Sequence, residues 1–94
     1  MTGSTEVVDN PERSRYELHV DGQLAGFILY RVQPGVVTMV HTEIEAEQEG
    51  HGLGSILAAG ALDDVRARGL KVRPLCPFVS LYIRRHPEYA DLVA

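Results

Sequence analysis

EGHGLGSILAAGALDDVRARG, residues 49–69, is the stretch that decides how this chain folds. Within it Leu53, Ile56, Leu57, Gly60 and Ala61 stand at i, i+3, i+4, i+7 and i+8, and Leu62 and Val65 widen the same stripe. That spacing is one face of a helix, and it predicts a helix over residues 53–68, about 24 Å long. Arg66 and Arg68 fall in its last turn, at the negative end of the dipole, and Gly69 supplies the stop. Asp64 and Arg68, four apart, are spaced to pair on the outer face. Ahead of the helix, Gly50, Gly52 and Gly54 let backbone N–H groups approach an anion without Cβ atoms in the way. A turn followed by a cap is the plainer reading of the same glycines.

Upstream the period falls to two. Tyr16, Leu18 and Val20 share one face of a strand over residues 15–20, and Asp21-Gly22 is a strong hairpin signal. A second strand over 23–32 carries Phe27, Ile28, Leu29 and Tyr30, Pro34-Gly35 turns the chain, and a third strand covers 36–44. Two tight turns in succession predict an antiparallel meander. Val7 and Val8 offer a short strand before it, and residues 1–5 are expected to fray. Downstream, residues 71–76 read as a strand and 78–85 as a short helix, with Phe78, Leu81 and Tyr82 on one face. Strand 36–44, helix 53–68 and strand 71–76 form a βαβ unit, so those two strands run parallel through a right-handed crossover. Their C-terminal ends then share one sheet edge, which brings His41 and Thr42 towards Leu75 and Cys76. The fold class is mixed α+β.

Composition narrows the function. A chain of 94 residues is the size of a single domain. Its net charge of −4 opposes nucleic-acid binding, which needs a basic face. The lone Cys76 excludes an internal disulfide. The longest apolar run, residues 56–62, is far short of a membrane span, and the first residues have no signal-peptide pattern, so the cytoplasm is the expected compartment. Four histidines and one cysteine show no ligand spacing, so no metal is expected.

The glycine loop matches neither common phosphate motif. No Gly-Lys-Ser/Thr run exists, and the position five after Gly50 is Ser55, not glycine. It does resemble motif A of the GCN5-related N-acetyltransferases, Arg/Gln-x-x-Gly-x-Gly/Ala, with Gly52 and Gly54 at the two small positions. The runs His41-Thr42-Glu43, Glu49-Gly50-His51-Gly52-Leu53-Gly54, Pro74-Leu75-Cys76-Pro77 and Tyr82-Ile83-Arg84-Arg85-His86-Pro87-Glu88-Tyr89 extend the likeness over about residues 6–93, to a short, truncated GNAT-like branch. The chain departs from the pattern at Glu49, where the motif has Arg or Gln, and Glu43, Glu45 and Glu47 precede it. Binding is therefore assigned to the backbone, with weaker affinity than a basic residue would confer. The chain also lacks the family's N-terminal helices and last strands, so the acceptor side is expected to be open.

The resemblance implies acetyl-CoA as cofactor and an amine, either a protein lysine or a small molecule, as acceptor. Gly50, His51, Gly52, Leu53, Gly54 and Ser55, with Thr42 and Arg85, are the implied coenzyme-binding residues. Tyr82 stands where the family places the phenol that protonates the departing thiolate. Cys76 is an implied acyl acceptor, and His41, the histidine that the βαβ geometry brings near it, the implied base. A module that holds coenzyme A without transfer is the alternative. A protein-interaction domain with a merely capped helix is a third reading. Oligomeric state is left open.

Overall fold

The computed structural model describes residues 4–45 and 52–94. Five strands lie in sequence order across one sheet: β1 (Thr5–Asn10), β2 (Arg15–Val20), β3 (Gln23–Gln33), β4 (Val36–Ile44) and β5 (Lys71–Pro74). The first four are antiparallel and β5 joins β4 in parallel. Helix α1 (Leu53–Ala67) connects β4 to β5, and α2 (Pro77–Arg85) follows. Short 3-10 turns lie at Pro11–Arg13 and Pro87–Leu92. The predicted meander and βαβ unit are present, and Val7 and Val8 lie in a full β1.

The hairpin signal is expressed in the backbone. Asp21 and Gly22 take φ of 52° and 81°, the paired positive values of a tight turn between β2 and β3. Gly35, at φ 76°, takes the left-handed position after Pro34.

One core fills the space between the sheet and the helices. Leu18, Ile28 and Met39 of the sheet meet Leu57, Leu62 and Val65 of α1, all fully buried. Gly60 sits where α1 crosses β1: a Cβ there would stand 2.7 Å from Val7 Cβ and 2.6 Å from its Cγ2.

One expectation is completed and two are corrected. The face of α2 in the core is Val79 and Ile83, whereas Phe78 and Leu81 are part exposed and Tyr82 half-buried. Strand β5 stops at Pro74, two residues before Cys76, because Leu75 N donates back to Arg73 O and Cys76 becomes the N-cap of α2. The Asp64–Arg68 pair forms, Nε to Oδ2 at 2.9 Å, but it faces the sheet rather than the outer side. There Arg68 also reaches Asp9 at 3.1 Å, Tyr16 Oη donates to Asp64 at 2.7 Å, and Tyr30 Oη donates to Asp9.

The other sheet face carries a second polar cluster. Glu17 is buried and accepts from Arg15 Nε at 2.7 Å and Asn10 Nδ2 at 3.0 Å, with His19 Nε2 at 2.9 Å. The His19 contact and, after it, those of Arg15 and Asn10 outweigh burial and hold the Glu17 carboxyl down at about 2. A carboxylate whose pKa is lower folded than unfolded contributes stability above its unfolded value near 4.5 and loses it as pH falls towards about 2. Urea unfolding from pH 6 to 2 is expected to show that decline, and Glu17→Gln, already uncharged, is expected to flatten it. An unchanged slope in the variant would remove Glu17 from the acid response.

Candidate active site

The geometry of the site begins where β4 and β5 part. Their pairing runs from Val36↔Lys71 to Met39↔Pro74, and Cys76 N donates to Met39 O at 2.9 Å as the last link. Beyond Met39, β4 continues to Ile44 with β3 on one side, while the other chain turns into α2. The two strands therefore part beyond Met39, and the start of α2 lies beside the end of β4.

Which β4 side chains face α2 depends on one residue. Tyr30 pairs with Met39 and Leu29 with His41, so Val40 is an extra residue in β4. Strict alternation from Met39 would put His41 on the helix side. The shift puts Thr42 there instead, opposite the fully buried Ile28. Thr42 Oγ1 lies 3.2 Å from Cys76 Sγ, and Cys76 is only 3% exposed. His41 projects to the other sheet face, where its Nε2 lies 2.9 Å from Glu43 Oε2 and both side chains are exposed. The structure thus joins Cys76 to Thr42 and not to His41. Nothing in the sequence marks Val40 as supernumerary, since it is neither glycine nor proline.

The second part is the N-terminus of α1. Gly52 caps it at φ 72°, a left-handed conformation that favours glycine. The first helical N–H groups have no carbonyl four residues earlier in the helix, so they present donors at the positive end of the dipole. Leu53 turns its side chain into the core and Ser55 is exposed, so Leu53 contributes backbone alone. Gly54 lies against the Cζ end of the Phe78 ring: a Cβ there would be 2.8 Å from Cζ. Gly50 and His51, with Glu47 and Glu49, lie outside the described residues.

Helix α2 supplies the third part. Tyr82 stacks on His86, ring centroids 3.9 Å apart, and His86 Nδ1 lies 2.8 Å from Tyr82 O. Burial, then the charges of Glu88 and Asp63, push the Tyr82 phenol above its ordinary value. It therefore stays protonated at neutral pH. Tyr89 Oη donates to Asp63 at 2.8 Å, and burial with that bond pushes Tyr89 up to about 12. Arg66 grips Asp91 through both terminal nitrogens at 2.9 Å, fastening the C-terminal 3-10 turn to α1. Arg85 is exposed in the last turn of α2.

A small cavity of about 170 Å³, lined by Gly26, Phe27, Glu43, Ile44 and Glu45, lies where β3 and β4 pair near the end of β4. It is below the roughly 300–1,000 Å³ that a bound small molecule of drug size occupies. Among the described residues no cluster of three or more His, Cys, Asp or Glu is arranged to hold a metal. Nor is any helix among them long and apolar enough to cross a membrane.

Comparison with known proteins gives this arrangement its context. A family model described as GCN5-related N-acetyl-transferase matches residues 15–92. The solution structure of a GCN5-like protein from Staphylococcus aureus, assigned as an N-acetyltransferase, superposes with a TM-score of 0.70 at 21% identity, covering 95% of this chain and 87% of its own. The ribosomal-protein-S18-alanine N-acetyltransferase of Escherichia coli gives 0.62 at 14% identity, over 78% of this chain and 66% of its own. The ribosomal-protein-alanine N-acetyltransferase of Brucella melitensis gives 0.58 at 21%, over 85% and 60%. This chain thus spans less than two thirds of the length of both ribosomal-protein acetyltransferases. No curated protein matches the chain by sequence.

Proposed function

The chain belongs to the GCN5-related N-acetyltransferase family, and on that premise we propose that it transfers the acetyl group of acetyl-CoA directly to an amine. The coenzyme's pyrophosphate is held by the backbone N–H groups of Leu53, Gly54 and Ser55 at the start of α1, with Gly50, His51 and Gly52 completing the loop and Arg85 adding charge. The thioester lies beside Thr42 and Cys76. An uncharged amine attacks the carbonyl carbon, the bond from carbonyl carbon to coenzyme sulfur breaks, and Tyr82 gives its proton to the departing thiolate. The ammonium formed on the product gives up a proton to solvent, and Tyr82 is reprotonated. An amine acceptor suits the acidic chain, and the cytoplasm, where a lone thiol stays reduced, suits the coenzyme.

The observation that carries the direct route is the partner of Cys76. Its sulfur faces the Thr42 hydroxyl at 3.2 Å, while His41 is committed to Glu43 on the other face. A relay through acetyl-Cys76 requires a base to make the thiolate. Titration with acetyl-CoA followed by intact mass measurement tests both levels. The expected result is binding, release of free coenzyme A once an amine such as a lysine peptide or polyamine is added, and no acetyl group left on the protein. Cys76→Ala is expected to keep most of the activity. An acetyl group on Cys76, lost together with activity in Cys76→Ala, would replace direct transfer by the relay. Binding with no release for any amine would leave a coenzyme-holding module.

A further inference from the structure

Both helices pack into the core on one face of the sheet, and neither covers the other face. Residues paired across neighbouring strands point to the same face, so the register states what that bare face carries. Thr38 lies between Arg31 of β3 and Arg73 of β5, near the end where β4 and β5 begin. Next along the strands Leu29 lies between Arg15 and His41. Beyond it Phe27 lies between Glu17 and Glu43, towards the end where β4 finishes. The face is therefore cationic at one end and anionic at the other, with the half-buried Leu29 and Phe27 between.

The charges at the two ends are not used up within the chain. Arg31 and Arg73 are exposed, and among the described residues neither meets a carboxylate; Arg73 only donates to the Gln33 side-chain oxygen at 3.3 Å. Glu43 is exposed and has only the His41 ring. Arg15, by contrast, is already held by Glu17 at 2.7 Å and lies over the Phe27 ring, 4.7 Å from its centroid. A partner of one charge would satisfy one end of this face and oppose the other. A second copy of the face, turned end for end, satisfies both. A two-fold axis lying across the strands at the Leu29–His41 pair sets Leu29 against the same residue of the second copy. It also brings Arg31 and Arg73 of each copy towards Glu43 of the other, so every pairing is made twice. Five strands about 4.8 Å apart, each about six residues long at about 3.3 Å per residue, make a face of roughly 24 by 20 Å. Two such faces bury on the order of 1,000 Å² together, the low end for a specific interface, which corresponds to a weak dimer.

We propose that the chain forms a weak two-fold dimer through the helix-free face of its sheet, with Arg31 and Arg73 of each copy set against Glu43 of the other. The interface lies on the opposite face from Thr42 and Cys76, so it is independent of the coenzyme reading. Sedimentation velocity from about 1 to 500 μM tests it on the wild type, the Arg31→Glu/Arg73→Glu double variant and Glu43→Arg, after thermal unfolding shows that all three are folded. The wild type is expected to pass from 10.4 kDa to twice that mass as concentration rises. Each reversed variant alone is expected to dimerise at least about tenfold more weakly, because like charges now face each other. An equimolar mixture of the two variants is expected to recover dimer, since one copy then offers only carboxylates and the other only guanidinium groups. A wild type that stays at 10.4 kDa throughout would overturn the proposal. So would a dimer that either variant forms undiminished, which would place the interface elsewhere. Two folded variants that are monomeric alone and stay monomeric when mixed would overturn the pairing of Arg31 and Arg73 with Glu43.

Discussion

Asp64→Ala is expected to lower the free energy of unfolding by about 2–3 kcal/mol, with the transition moving to clearly lower urea. The physical reason is an asymmetry between partners. Tyr16, 2% exposed, delivers its hydroxyl to Asp64 at 2.7 Å, and Arg68 binds the same oxygen at 2.9 Å. Removing the carboxylate strands a buried hydroxyl and leaves Arg68 with Asp9 alone. Tyr16→Phe removes the donor instead, leaves Asp64 paired with Arg68, and is expected to cost only about 1 kcal/mol. In the double variant the stranded hydroxyl is gone, so its cost should fall short of the sum by about 1 kcal/mol. Strict additivity would mean that the two groups do not act together. Burial and the acceptor on Asp64 push the Tyr16 phenol far above its ordinary value, as burial and then Asp9 do for Tyr30. Both tyrosines therefore remain protonated donors at neutral and mildly alkaline pH.

The second large effect is expected at Gly60. In an isolated helix, replacing glycine by alanine is favourable by about 1 kcal/mol. Here a new Cβ would lie 2.7 Å from Val7 Cβ and 3.0 Å from Cγ1, and no change of rotamer moves a Cβ. Overpacking typically costs about 1–3 kcal/mol, so Gly60→Ala should be net destabilising by about 1 kcal/mol and Gly60→Val by about 3. Thermal unfolding of Gly60→Ala in a Val7→Ala background provides the control. With the valine shortened, the added methyl should be tolerated or even stabilising. If Gly60→Ala stabilises the wild-type background, α1 does not pack on β1 as closely as the structure has it.

Much of the fold was legible because its signals are local. Asp21-Gly22 and Pro34-Gly35 dictate turns through backbone conformation alone, and the stripe from Leu53 to Val65 states which side of α1 is buried. Those two facts give the meander of β2, β3 and β4 and the parallel βαβ unit, whereas the place of β1 beside β2 comes from the structure. The short C-terminal helix was harder. Phe78, Leu81 and Tyr82 are as apolar as Val79 and Ile83, and periodicity cannot say which of two apolar faces meets the core.

The site divides along the same line. Gly52 could be read as a left-handed cap because glycine next to a helix start has few other uses, and Cys76 could be placed near the end of the third meander strand by topology. What joined Cys76 to Thr42 rather than to His41 was the supernumerary Val40, a feature of pairing between two strands that changes the side on which every later residue points. What gave Gly54 its second role was the ring of Phe78, which arrives from 24 residues further along the chain. Residue types and short-range spacing thus determined the elements, their order and the family. Only the tertiary structure decided which side chains share the site, because register and packing are settled between segments and are written in neither one.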